Sequence, residues 1–120
     1  MTIGDVISAL EKASGEAVVR FDFGGTYPTT VDSWRGAYDE AAIGFSSDRY
    51  ADTSVTVEEV LAELHSAIDG REYGGWKGGS YRYTRDTPLH VDNRGCYSQT
   101  DIDRVQVEEW QVVIHTKYEG

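Results

Sequence analysis

An α+β fold, with two amphipathic helices packed on a largely antiparallel β-sheet in a single domain over residues 1–120, is the architecture this sequence predicts. Three observations lead there. Two segments place apolar residues at helical spacing behind a capping residue, the second half alternates polar and apolar residues as strands do, and 120 residues hold one domain's worth of core.

Thr2, with Asp5 three places on, caps a first helix, and the acid also complements the helix dipole. Ile3, Val6, Ile7 and Leu10 then fall on one stripe, and Gly15 is a natural stop. Residues 17–23 alternate with Val19, Phe21 and Phe23 on one face, which predicts a strand ended by Gly24 and Gly25. Turn chemistry around Pro28 predicts loop as far as Thr30. Residues 32–45 read two ways: Asp32 or Ser33 caps a short helical turn through Tyr38, weakened by Gly36, and residues 41–45 form a short strand. After a polar loop over 46–54, Thr56 and Glu59 make a capping box ahead of Val57, Val60, Leu61, Leu64 and Ile68, a second helix closed by Gly70. Four glycines surround Trp76 and Lys77 in a flexible loop. Residues 80–85 then alternate polar and aromatic side chains, a turn at 86–88 follows, and Leu89 and Val91 continue as a short strand. Residues 102–107 and 110–118 form a hairpin with Glu108 and Glu109 at the turn.

Charge narrows the functional classes. Against 11 basic residues stand 21 acidic ones, a net −10, which excludes general affinity for a DNA or RNA backbone or an anionic membrane, since such binders neutralise phosphate with Lys and Arg. The single cysteine, Cys96, excludes an internal disulfide framework and a cysteine-based zinc site within one chain. No apolar run reaches the length of a membrane span and no signal-peptide layout opens the chain, so a cytoplasmic protein is expected.

Catalytic signatures are absent from the sequence. His65, His90 and His115 lie on unrelated elements, and neither a G-x-S-x-G elbow nor a P-loop occurs. Asp101 and Asp103 share a strand face but lack the loop glycine and distal glutamate of a calcium hand, so no metal and no cofactor is expected. Binding without catalysis is the expected activity.

The distribution of charge says more than its sum. Over residues 71–94, five basic residues (Arg71, Lys77, Arg82, Arg85, Arg94) face three acidic ones, a net +2, and the rest of the chain totals −12. Tyr73, Trp76, Tyr81 and Tyr83 lie in the same stretch. Arginine forks suit phosphate, aromatic faces stack on bases, and glycine-rich backbone lets amides approach an anion. Asn93 adds a donor–acceptor pair for a base edge or a ribose hydroxyl. A long polynucleotide would meet the surrounding negative charge, whereas a small nucleotide would feel mainly its pocket. Packing accounts for part of the same pattern, because Tyr81 and Tyr83 would share one strand face while Arg82 points away. A second dense cluster runs Asp32-Ser33-Trp34-Arg35-Gly36-Ala37-Tyr38: Arg35 is a candidate anion clamp, or Trp34 and Tyr38 pack a capped turn into the core. Arg104 is the remaining cation, and a salt bridge across the hairpin would account for it.

Asp32-Ser33-Trp34-Arg35-Gly36, Gly75-Trp76-Lys77-Gly78-Gly79 and Thr87-Pro88-Leu89-His90-Val91-Asp92-Asn93 together resemble the phage Thoeris anti-defence proteins that act as sponges for cyclic ADP-ribose isomers. The likeness extends over residues 20–115, with His90 where that pattern carries a bulky apolar or aromatic residue. It implies an α+β subunit that assembles into a homo-oligomer, dimer or higher, and holds a small nucleotide signal without cleaving it. Some members also take cyclic oligonucleotides. It implies Tyr83 and Asn93 as the ligand-contacting ring and amide, with Arg35 and Arg104 on the phosphates. The candidate ligand-binding set is therefore Arg35, Trp76, Lys77, Tyr81, Tyr83, Asn93, Arg94 and Arg104. Rival readings are an acidic DNA mimic or other protein-binding inhibitor of a host nuclease or CRISPR complex, a nucleotide-acting enzyme, and a structural protein with no small ligand.

Overall fold

The computed structural model describes residues 1–23, 25–33, 40–46, 55–71, 73–74, 80–92 and 99–119. Within them the chain is an α+β assembly of two helices and a seven-stranded mixed sheet, with a separate two-stranded ribbon.

Helix α1 (Ile3–Leu10) begins where the sequence places it. Thr2 Oγ1 accepts the Asp5 N–H at 3.1 Å while the Asp5 carboxylate accepts the Thr2 N–H at 2.9 Å, so two otherwise orphaned amides are satisfied reciprocally. Its start is also docked from outside: the Gly4 N–H donates to the Arg85 carbonyl at 2.8 Å, and a Cβ at position 4 would meet that oxygen at 2.9 Å. Helix α2 (Val57–Ile68) is capped by Thr56, whose hydroxyl accepts the Glu59 N–H at 3.3 Å. Beyond its end Gly70 takes φ +76°, the left-handed conformation that glycine adopts without a Cβ penalty.

The sheet strands are β1 (Val18–Phe21), β2 (Tyr27–Ser33), β3 (Ala41–Ser46), β4 (Val55–Thr56), β7 (Leu89–Val91), β8 (Gln99–Val107) and β9 (Gln111–Glu119); β5 (Tyr73–Gly74) and β6 (Ser80–Tyr81) make the ribbon. Their order across the sheet is β2-β3-β7-β8-β9-β1-β4. Antiparallel ladders join β2 to β3, β7 to β8, β8 to β9 and β1 to β4, but β3–β7 and β1–β9 run parallel. The sheet is thus mixed.

Side-chain alternation sends Val19, Phe21, Ile43, Leu89, Val91 and Ile114 to one face, where they join Ile3, Ile7, Leu10, Val57 and Leu64 of the helices in one buried cluster. Phe23 stacks on Phe21 at 5.4 Å between ring centroids and meets Phe45 edge-on at 5.1 Å, extending the apolar face toward the β2 side. The opposite face carries Ala42, His90, Asp101, Arg104 and His115, none of which belongs to that cluster.

Three differences from expectation stand out. The stretch around Pro28 is part of an edge strand, not a loop: Pro28 opposes Phe45, and a bulge between Pro28 and Val31 absorbs the irregularity. Gly44 lies opposite that bulge, where a Cβ would come within 2.7 Å of Thr29 Oγ1. Asp32 and Ser33 belong to the same strand; the expected helical turn through Tyr38 falls on 34–39, outside the described residues. Finally, the strand expected over 80–85 stops at Tyr81.

Strand β2 is an edge, and an exposed edge invites pairing with another chain. Here α2 covers it. The Glu63 carboxylate accepts the Val31 N–H at 2.9 Å, and Arg71 donates to Glu63 Oε1 at 2.7 Å and to the Val31 carbonyl at 3.4 Å. Burial pushes the Glu63 carboxyl up, but the Arg71 hydrogen bonds, the Val31 amide and the Arg71 charge outweigh it and hold the group below a glutamate's ordinary 4.5. A carboxyl depressed in the folded state contributes stability above its unfolded pKa and loses that contribution as pH falls through the folded value. Glu63→Gln is expected to cost about 1 kcal/mol near neutral pH, as for a partly buried pair, and urea melts should show the gap to wild type closing below about pH 4.5. A gap that persists unchanged into acid would show that the charge is not what matters.

Candidate functional site

A compact polar arrangement lies on the face away from the helices. His90, on β7, sits between Ala42 of β3 and Asp101 of β8. It is 6% exposed, so its ring nitrogens need partners. Nδ1 meets Asp101 Oδ1, and Nε2 lies 2.9 Å from Glu40 Oε1. The side chains of Glu40 and Asp101 remain 38% and 24% exposed, so the cluster reaches water through its acids while the ring is enclosed.

This arrangement binds strands together. Each imidazole nitrogen already faces a carboxylate, which leaves neither available as a general base or a metal ligand in this geometry. Among the described residues there is no group of three or more His, Cys, Asp or Glu side chains able to hold a metal ion.

Tyr83 requires a correction. Read from sequence as a ligand-contacting ring, it is 2% exposed and belongs to the core, and its hydroxyl donates to the Glu40 carbonyl at 2.7 Å. A phenol with its ring in the core and its hydroxyl bonded to backbone has no surface to offer a ligand. Tyr81 pairs with Tyr73 in the β5–β6 ribbon, so the two tyrosines do not share one continuous strand. Arg104 is exposed on β8 and pairs with its neighbour Asp103 at 3.4 Å, on the same strand and not across the hairpin. Arg35, Trp76, Lys77, Asn93 and Arg94 lie outside the described residues.

The cationic stretch is also divided. Arg71 faces Glu63 and Ser66 at the β2 edge, and Arg85 reaches Ser8 of α1 at 3.4 Å, so these two do not face a common hollow. Arg71 is drawn away because α2 presents a partly buried carboxylate that needs a charged partner.

Two features escaped the sequence reading. Asp22, just past β1, accepts the Thr116 N–H at 3.0 Å and hydroxyl at 2.6 Å, with His115 Nδ1 at 3.7 Å. Burial pushes its carboxyl up, but the Thr116 bonds and the nearby imidazole prevail and hold it below 3.8. The second is a cleft of about 470 Å³ at the β8–β9 turn, lined by Val18, Arg20, Glu108, Glu109, Trp110 and Gln111. An indole next to two turn glutamates was its only sequence signal.

No helix among the described residues is long and apolar enough to cross a membrane. Comparison of the chain with protein-family models, curated proteins and solved structures gives no match.

Proposed function

We propose that the chain is a non-catalytic binding protein of the phage anti-defence type, which takes up a compact nucleotide signal and holds it uncleaved. The ligand class is a cyclic ADP-ribose isomer or a cyclic oligonucleotide, and the working form is a homo-oligomer. One observation supports bringing the three resemblance segments together. Tyr83, a few residues past the 75–79 segment, bonds to the carbonyl of Glu40, a few residues past the 32–36 segment, and beside the parallel β3–β7 ladder Asp92, within the 87–93 segment, sets its N–H on the Ile43 carbonyl at 2.9 Å. Those positions surround one short strand pair, on the order of 10 Å long at about 3.3 Å per residue. In this reading Tyr83 positions the segments and leaves contact with the ligand to Arg35, Trp76, Lys77, Asn93 and Arg94.

Sequestration at nanomolar level needs about 12 kcal/mol, more than a shallow site supplies, so closure between subunits fits the task. The test is thermal shift of the purified chain with cyclic ADP-ribose isomers and cyclic oligonucleotides, followed by recovery of the ligand after denaturation. The expected result is a raised Tm and an unaltered ligand. A changed ligand identifies an enzyme. No shift, with salt-sensitive inhibition of a nuclease, favours the acidic decoy.

A further inference from the structure

The cleft at the β8–β9 turn is the place where the described surface leaves three different recognition groups unengaged. Trp110 is 76% exposed, an unusual cost for the largest apolar side chain. Arg20 and Glu109 line the same cleft, and neither has a hydrogen-bond or ion-pair partner among the described residues. Glu108 is occupied: its carboxylate accepts from Gln106 Nε2 at 3.2 Å and Gln111 Nε2 at 2.6 Å, which fixes both amides beside the turn. The turn backbone is fixed too, by the Glu108 N–H on the Gln111 carbonyl and the Val18 N–H on the Trp110 carbonyl. A mobile tip would explain an exposed indole as accident; a hairpin end bonded to β1 holds it over a hollow.

The geometry points to a docking cleft for a guanine mononucleotide, in which Trp110 stacks on the base, Glu109 accepts from its donor edge and Arg20 pairs with the phosphate. The assignment follows from chemistry. The cleft volume of about 470 Å³ falls in the range of small-molecule sites. An indole face stacks on any base. A carboxylate only accepts, and its two oxygens are matched by adjacent donors. Guanine presents N1–H and N2–H side by side, whereas adenine and cytosine set an amine beside a bare acceptor nitrogen and uracil sets its N–H between two carbonyls. Arg20 supplies the planar fork that suits a phosphate, and one guanidinium next to Glu108 and Glu109 suits one phosphate better than several. This cleft shares only its ligand class with the function proposed above; the residues are different.

Calorimetric titration of the full chain with 5′-GMP, 5′-AMP and guanosine tests it. GMP should bind best. Trp110→Ala should weaken GMP binding about tenfold or more, as expected for loss of one stacking contact. Trp110→Phe should recover part of it. Glu109→Gln should abolish the preference for GMP over AMP, and Arg20→Ala should reduce GMP to the level of guanosine. Equal binding of GMP by wild type and Trp110→Ala, or no binding of GMP by wild type, would overturn the cleft. Either result leaves the cyclic-nucleotide proposal to its own titration, since that one reads different ligands.

Discussion

Tyr83→Ala is expected to lower the stability of the folded chain by about 3–5 kcal/mol, the usual cost of deleting a buried aromatic side chain. The ring lies in the core at 2% exposure, and its hydroxyl is the donor that satisfies the Glu40 carbonyl. Truncation would leave a void beneath the start of β3 and an unmatched acceptor above it. Against a total of about 5–15 kcal/mol for a domain, this is a large share. Tyr83→Phe separates the two contributions: the ring stays, the donor goes, and the cost should be about 1 kcal/mol. It also separates core from contact. A ligand-touching tyrosine would lose binding in the Phe variant while keeping stability; a core tyrosine should keep its affinity for any nucleotide the chain binds. Denaturant melts of both variants with parallel titrations decide the matter, and an alanine variant as stable as wild type would refute the buried placement.

His90→Ala is expected to cost about 1–3 kcal/mol and to leave two carboxylates facing an empty space between β3 and β8. The loss falls short of a fully buried pair's because Glu40 and Asp101 can turn toward water. The signature that distinguishes lost pairing from simple cavity formation is rescue. Adding Glu40→Gln and Asp101→Asn to the alanine variant removes the stranded charge and should recover part of the loss, since an ion pair replaced as a whole is tolerated better than one broken. If the triple variant is less stable than His90→Ala alone, the carboxylates are held by something other than the imidazole.

The helices were legible in the sequence because their determinants are local: Thr2 with Asp5 and Thr56 with Glu59 lie within one turn of each other, and the apolar stripes repeat at fixed spacing. The β8–β9 hairpin was legible for the same reason. Strand β2 was not, since Pro28 and two threonines carry turn chemistry, and only its position at the sheet edge makes a proline and a bulge tolerable. The parallel pairings were invisible because β1 and β9 lie some ninety residues apart and nothing local records their register. At the candidate site, alternation put Tyr83 and Tyr81 on one strand face; the strand ends at Tyr81 and Tyr83 enters the core. The positive stretch was legible as a sum but not as a place, because Arg71 answers to Glu63 and Arg85 to Ser8, partners chosen by tertiary packing.

The parallel β1–β9 ladder also constrains how this chain can be made. Val18 to Phe21 lie inside the sheet, with Gln111 to Ile114 beside them, so the earliest strand has no long neighbour until one of the last has been synthesised. During translation α1 and β1 can emerge and even form locally, yet their apolar faces must wait, shielded only by transient collapse or by a chaperone, until residue 114 clears the ribosome. The sheet cannot close around β1 before β9 exists.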